Sequence, residues 1–102
     1  MTIRLAAKLG FLVRLEVKPD KVPEFEAWVG ASLPAIEDEP GTTAWFAVRL
    51  GPTSYAVFDV FPNEAARQAH LEAGRIRLEG LSDLLAEPPS MVRTEVIVSK
   101  LP

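Results

Sequence analysis

Cysteine is absent, and His70 is the only histidine in the chain. The first absence excludes disulfides, thiolate catalysis and Cys-based zinc or iron–sulfur centres. With one histidine there is no HxH or HExxH pair, so neither a metal site nor any other cofactor is expected. Nucleotide, dinucleotide and serine-hydrolase readings also lack a motif, because no P-loop, GxGxxG or GxSxG occurs. The 11 Lys and Arg are scattered among 14 Asp and Glu, for a formal net charge of −3. Without a basic stripe to meet phosphates, no nucleic-acid partner is expected. Long apolar runs are missing as well. Arg4, Lys8 and Arg14 interrupt the N-terminus, leaving neither a secretory core nor a membrane span, so a cytoplasmic protein with no membrane partner is expected.

What remains is an ordinary folding composition: 48% hydrophobic and 25% charged over 102 residues, one domain with a single core. Residues 1–9 show no period and read as an N-terminal arm before a domain at 10–102. In GFLVRLEVKPD, Phe11, Val13, Leu15 and Val17 alternate onto one face of a first strand. Asp20 is placed to cap the helix that follows, and Pro23 suits its first turn. Val22, Phe25, Val29, Leu33 and Ile36 recur at helical spacing, while Pro34 predicts a kink or early break near 30–34. EDE at 37–39 reads as a solvated helix end.

TTAWFAVRL and SYAVFDVF, separated by GPTS, form a hairpin. Asn63 caps a second helix expected to run until Gly74. RIRLEGLSDLLAEPP adds a further helix and, with Ser82 placed to cap it, a short terminal turn; SMVRTEVIVSK is the last strand. The order βαββααβ predicts an α+β, ferredoxin-like sandwich with one antiparallel sheet. Its helices cover one face only, yet AWFAV, YAVF and EVIV are apolar at adjacent positions, as in strands buried on both faces. A second copy of the chain would cover the other face, so a homodimer is expected.

With the VKPDK entry to the first helix and the stretch EPGTTAWFAVRLGPTSYAVFDVFPNEAARQAH, the chain resembles the antibiotic-biosynthesis-monooxygenase-like family of dimeric α+β barrels over about residues 10–100. The resemblance implies two ferredoxin-like protomers with sheets face to face. It also implies, for several members, oxidation of aromatic polyketides by molecular oxygen without metal or flavin. Many relatives end the third strand with acid-x-Trp, where this chain has Asp59 and Phe61. Haem-degrading relatives carry an Asn in the first strand, a Trp and an axial His; here the first strand has no Asn.

Cofactor-free oxygenation needs a dry pocket that helps a phenol or hydroquinone lose its proton. Candidates for that work are His70 as base, Asp59 as its orienter, Arg49 and Tyr55 as donors or anion stabilisers, and Trp45 and Phe61 as walls for a small aromatic or apolar ligand. Alternation puts Trp45 and Arg49 on one face of their strand and Tyr55 and Asp59 on one face of theirs. A four-residue loop at GPTS separates the pairs, and a three- or five-residue loop unites them, because a one-residue slip flips the face. The register is open at this level. On the second helix, Ala66, Ala69 and Ala73 are expected to face the sheet and leave a cavity beside His70. Two functions fit: a cofactor-independent monooxygenase of a phenolic or quinol substrate, or a catalytically silent dimer that binds a small molecule or serves a stress response.

Overall fold

The computed structural model describes residues 6–102. Most of the expected N-terminal arm lies outside them. Its last residues join the sheet, the Lys8 amide donating to the Phe61 carbonyl at 3.0 Å. The order is β1 (Leu9–Glu16), α1 (Val22–Glu37), β2 (Ala44–Arg49), β3 (Ser54–Phe61), α2 (Glu64–Glu79) and β4 (Ser90–Glu95), with short 3₁₀ turns at Pro19–Lys21 and Ser82–Leu84. The four strands pair antiparallel in the order β2-β3-β1-β4. This is the expected ferredoxin-like α+β fold, as βαββαβ. The additional helix is not a separate element: Arg75–Glu79 continue α2 past Gly74, and Ser82–Leu84 form one 3₁₀ turn. Gly74 is buried inside α2, where helix packing against the sheet outweighs its low helix propensity.

α1 also departs from its expected form. Pro34 does not break it, because Gly30 and Pro34 both face solvent, so water can take up the Gly30 carbonyl that proline leaves unpaired. Asp20 falls in the 3₁₀ turn, and α1 begins without a side-chain cap. Its core-facing residues are Phe25, Ser32 and Ile36, with Leu33 turned outward. The buried Ser32 hydroxyl donates back to the Trp28 carbonyl at 2.9 Å, which removes the penalty of burying it. Asn63 caps α2 as expected, accepting from the Ala66 amide at 2.9 Å.

The face of β1 marked by Phe11, Leu15 and Val17 is buried under the helices, where Leu15 and Val17 cluster with Phe25, Tyr55, Leu81 and Leu85. The hairpin has the five-residue connection: Arg49 pairs with Tyr55 and Trp45 with Asp59. Glu16 holds that loop by accepting from Thr53 at 2.7 Å and Ser54 at 2.5 Å, so β1 itself selects the register. All four residues therefore share the helix-covered face. The opposite face carries the row Phe46, Phe58, Leu12 and Val92, apolar across all four strands. Phe46 and Val92 are about half exposed there, at 55% and 49%. Among the described residues, no helix is long and apolar enough to cross a membrane.

Gly10 permits the closest approach in the sheet. A Cβ there would sit 2.5 Å from the Asp59 carbonyl oxygen and 2.8 Å from Thr94 Oγ1, and the first is backbone that cannot swing away. Gly10→Ala is expected to cost about 1–3 kcal/mol. The melting midpoint should then drop by several degrees, at ~4–8 °C per kcal/mol for a domain of this size. An unchanged thermal melt would refute the constraint.

Candidate active site

Two cross-strand rows of the covered face floor a cavity of about 100 Å³: Trp45, Asp59 and Phe11 in one, and Val57, Val13 and Met91 in the next. α1 supplies Trp28, Ser32 and Ile36 as one wall, and α2 supplies His70, Leu71 and Gly74 as the other. Gly74 explains part of the space, since a larger side chain at this buried helix position would fill it. α2 does not turn the expected alanine face to the sheet. Ala69 and Ala73 are exposed, and Arg67 and Gly74 are the buried residues of α2. Arg67 reaches under the helix to donate to the carbonyls of Gly10 at 3.2 Å and Thr94 at 3.3 Å, with Glu64 as its ion partner at 2.5 Å. An arginine takes this place because its guanidinium lies over the Phe11 ring, 5.5 Å from the centroid, while its N–H groups satisfy backbone oxygens.

His70 lies between two carboxylates. Its Nε2 is 3.0 Å from Asp59 Oδ2, and its Nδ1 is 2.5 Å from Glu39 Oε1. The ring packs against Phe61 at 5.1 Å between centroids. Asp59 is almost wholly buried, its side chain 3% exposed, and its Oδ1 has no hydrogen-bond partner among the described residues. An unpaired carboxylate oxygen on a residue that lines a largely apolar cavity is costly to bury. Burial by itself lowers the pKa of His70, but hydrogen bonds to Asp59 and Glu39, together with their charges, outweigh it and raise the value above the ordinary 6.5. The three side chains do not converge on one point, because the ring stands between the acids. No group of three acidic or histidine residues among those described is arranged to hold a metal ion.

Of the residues singled out in the sequence, His70, Asp59 and Trp45 meet at the cavity. Phe61 is fully buried behind His70, outside the cavity lining. Arg49 and Tyr55 share the face but not the place: Asp59 lies four positions beyond Tyr55 on β3, ~13 Å along a strand. They form a second cluster with Glu26. The Tyr55 hydroxyl donates to Glu26 Oε2 at 2.6 Å, and Arg49 pairs with the same oxygen. That hydrogen bond holds the Tyr55 phenol above its ordinary value of 10.0. Trp28, Ser32 and Glu39 are cavity or triad residues that the sequence reading did not select. Only Trp28 carried a signal, an aromatic one turn after Phe25, whereas Glu39 looked like one acid in an exposed run.

A sequence profile of the family described as antibiotic biosynthesis monooxygenase matches residues 9–77. The chain belongs to this family. Its fold is similar to that of a solved protein of unknown function from Nitrosomonas europaea, with 40% identity, a TM-score of 0.88, and 94% of this chain and 95% of that one covered. Rv0793 from Mycobacterium tuberculosis superposes with a TM-score of 0.82 at 14% identity, covering 91% and 98% of the two chains. SnoaB, a cofactor-independent oxygenase from Streptomyces nogalater, does so with 0.75 at 18%, covering 92% and 97%. At those identities the last two show the fold alone. No curated protein is significantly similar to the chain.

The raised value of His70 has a consequence for stability. Below 6.5 the ring is protonated in folded and unfolded chains alike, and the stabilisation from its two partners is fully present; it is lost as pH rises through the higher folded value. Denaturant melts of the wild type should therefore show stability falling with rising pH across that window. His70→Ala should lack that slope, and an identical slope in both proteins would refute the assignment.

Proposed function

We propose that this member of the antibiotic biosynthesis monooxygenase family is a cofactor-independent monooxygenase of a small phenolic or quinol-type substrate. The observation that carries the reading is the unpartnered, buried Oδ1 of Asp59, a residue that lines a largely apolar cavity together with Trp28, Trp45, Phe11 and His70. A phenol fits that chemistry: its ring takes the apolar walls, and its hydroxyl donates to the unpaired Oδ1 of Asp59. Proton transfer to Asp59 leaves an electron-rich phenolate, which molecular oxygen oxidises. A phenol and O₂ give a quinone and one water, one oxygen atom ending on carbon and the other in water. The substrate supplies all four electrons, so no external reductant enters.

Both ring nitrogens of His70 face carboxylates, so the role of base passes from His70 to Asp59, with His70 holding the acid in place. Trp45 is the stacking wall. Arg49 and Tyr55 act in this reading as an anchor between β2, β3 and α1 through Glu26. The cavity, at about 100 Å³, is smaller than the ~150 Å³ that holds a benzene ring in an engineered apolar cavity. A one-ring substrate therefore fills the enclosed space and extends from it at the rim, where Leu78 and Met91 are exposed, and larger ring systems are excluded.

In an oxygen electrode, a panel of one-ring phenols and hydroquinones should support steady oxygen uptake. Asp59→Asn and His70→Ala should each lower kcat by about 10²-fold, the scale for losing a general base or its support. Saturable phenol binding without oxygen uptake would instead mark a binding protein and overturn the oxygenase reading.

The same reading makes the working unit a homodimer. The row Phe46, Phe58, Leu12 and Val92 exposes to water a face that α1 and α2 cannot reach, and the family resemblance implies sheets packed face to face. Sedimentation at micromolar concentration should give a dimer, and Phe58→Glu, which places a charge at the centre of that row, should give a folded monomer. A monomeric wild type would refute it.

A further inference from the structure

We propose that Glu39 is a positioning residue of the active site: it anchors Nδ1 of His70, so that the ring presents Nε2–H to Oδ2 of Asp59 and leaves Oδ1 alone free for the substrate. The inference rests on reading the cavity as the active site. Three features of the chain put Glu39 there. The turn after α1 lies against α2 at Gly41, where a Cβ would come within 2.8 Å of the Ala66 Cβ, one helical turn before His70. The Thr42 hydroxyl donates to Glu39 Oε1 at 2.7 Å and fixes the oxygen that meets the imidazole. Glu39 Oε2 is buried without a hydrogen bond among the described residues, with Arg77 of α2 at 3.7 Å as its nearest cation. An acid that merely ended a helix would point into water, yet this side chain is 16% exposed.

A structural role for His70 would be met by one carboxylate. Two of them around one ring put an excess negative charge beside an apolar cavity, which is tolerable only with the ring as imidazolium. Both ring nitrogens then donate, and neither tautomer nor ring flip is left free. The charged groups facing His70 are Asp59 from β3 and Glu39 from the turn, with Arg77 behind Glu39. Loss of the Glu39 charge therefore has a direction: His70 becomes easier to deprotonate, and once neutral it can present a bare Nε2, which repels the carboxylate it should hold.

Because His70 is the only histidine, its Hε1 proton gives one resolved resonance whose titration needs no assignment. Glu39→Gln should lower the His70 pKa by roughly one unit, the lower end expected for removing an opposite charge within about 4–6 Å. Glu39→Asp should retain part of the value. The alkaline limb of the kcat–pH profile should move down by the same amount in Glu39→Gln, with KM nearly unchanged. An unmoved His70 titration overturns the proposal. A lowered titration with an unmoved profile, in an enzyme whose wild type turns over, also overturns it and leaves Glu39 structural. If the wild type consumes no oxygen, the oxygenase reading fails by itself, and the positioning role is then read from phenol binding. In that case the pH limit of phenol affinity must move down in Glu39→Gln, and an unmoved limit overturns it.

Discussion

The carboxylate–imidazole–carboxylate chain of Asp59, His70 and Glu39 joins three parts of the fold that share no backbone hydrogen-bond ladder: the centre of the sheet, the turn after α1 and the second turn of α2. Its energetics explain much around it. A buried acid with one oxygen paired and one free is stable only if the paired oxygen has a strong, charged donor. His70 can be that donor only if it stays protonated in an environment that works against its charge, and the second acid offsets that burial. The close contact of Gly41 with Ala66 and the hydroxyl of Thr42 serve the same geometry from the turn.

The sheet keeps its two faces for different purposes. Under the helices it combines a conventional apolar cluster around Phe25, Leu81 and Val17 with a polar edge formed by Asp59, Arg67 and the carbonyls that Arg67 satisfies. The cavity sits between these two regions, where Gly74 and the partly buried Trp28 and Trp45 replace the close packing seen elsewhere. The other face has no polar work at its centre, and its row of Phe46, Phe58, Leu12 and Val92 is of the kind that packs against another apolar surface.

A ferredoxin-like sandwich is shared by proteins of many activities, so fold likeness at 14% or 18% identity says little about chemistry. In this chain Phe61 is buried behind His70, and the acid and imidazole of Asp59 and His70 are the polar pair at the cavity. Two charged clusters that look alike in sequence thus differ in pairing and burial. Arg49, Tyr55 and Glu26 neutralise one another near the surface, while Asp59 keeps an oxygen unpaired in the interior.

Local sequence pattern determined the buried face of β1, the α+β class and the Asn63 cap, because each depends on residues within one or two turns or strands of one another. It also marked the surplus of apolar residues on the outer face, and the singular His70. It misjudged two helix ends: the early break expected at Pro34, which α1 runs through because the freed carbonyl faces water, and the stop expected at Gly74, which packing on the sheet holds in the helix. The register of the hairpin was undecidable from its own loop because the deciding group, Glu16, lies on β1, 37 residues from Thr53. Glu39 was invisible for the same reason. Whether an acid is solvated or buried against an imidazole 31 residues away is set by how the turn after α1 docks on α2, and only the tertiary structure brings those segments together.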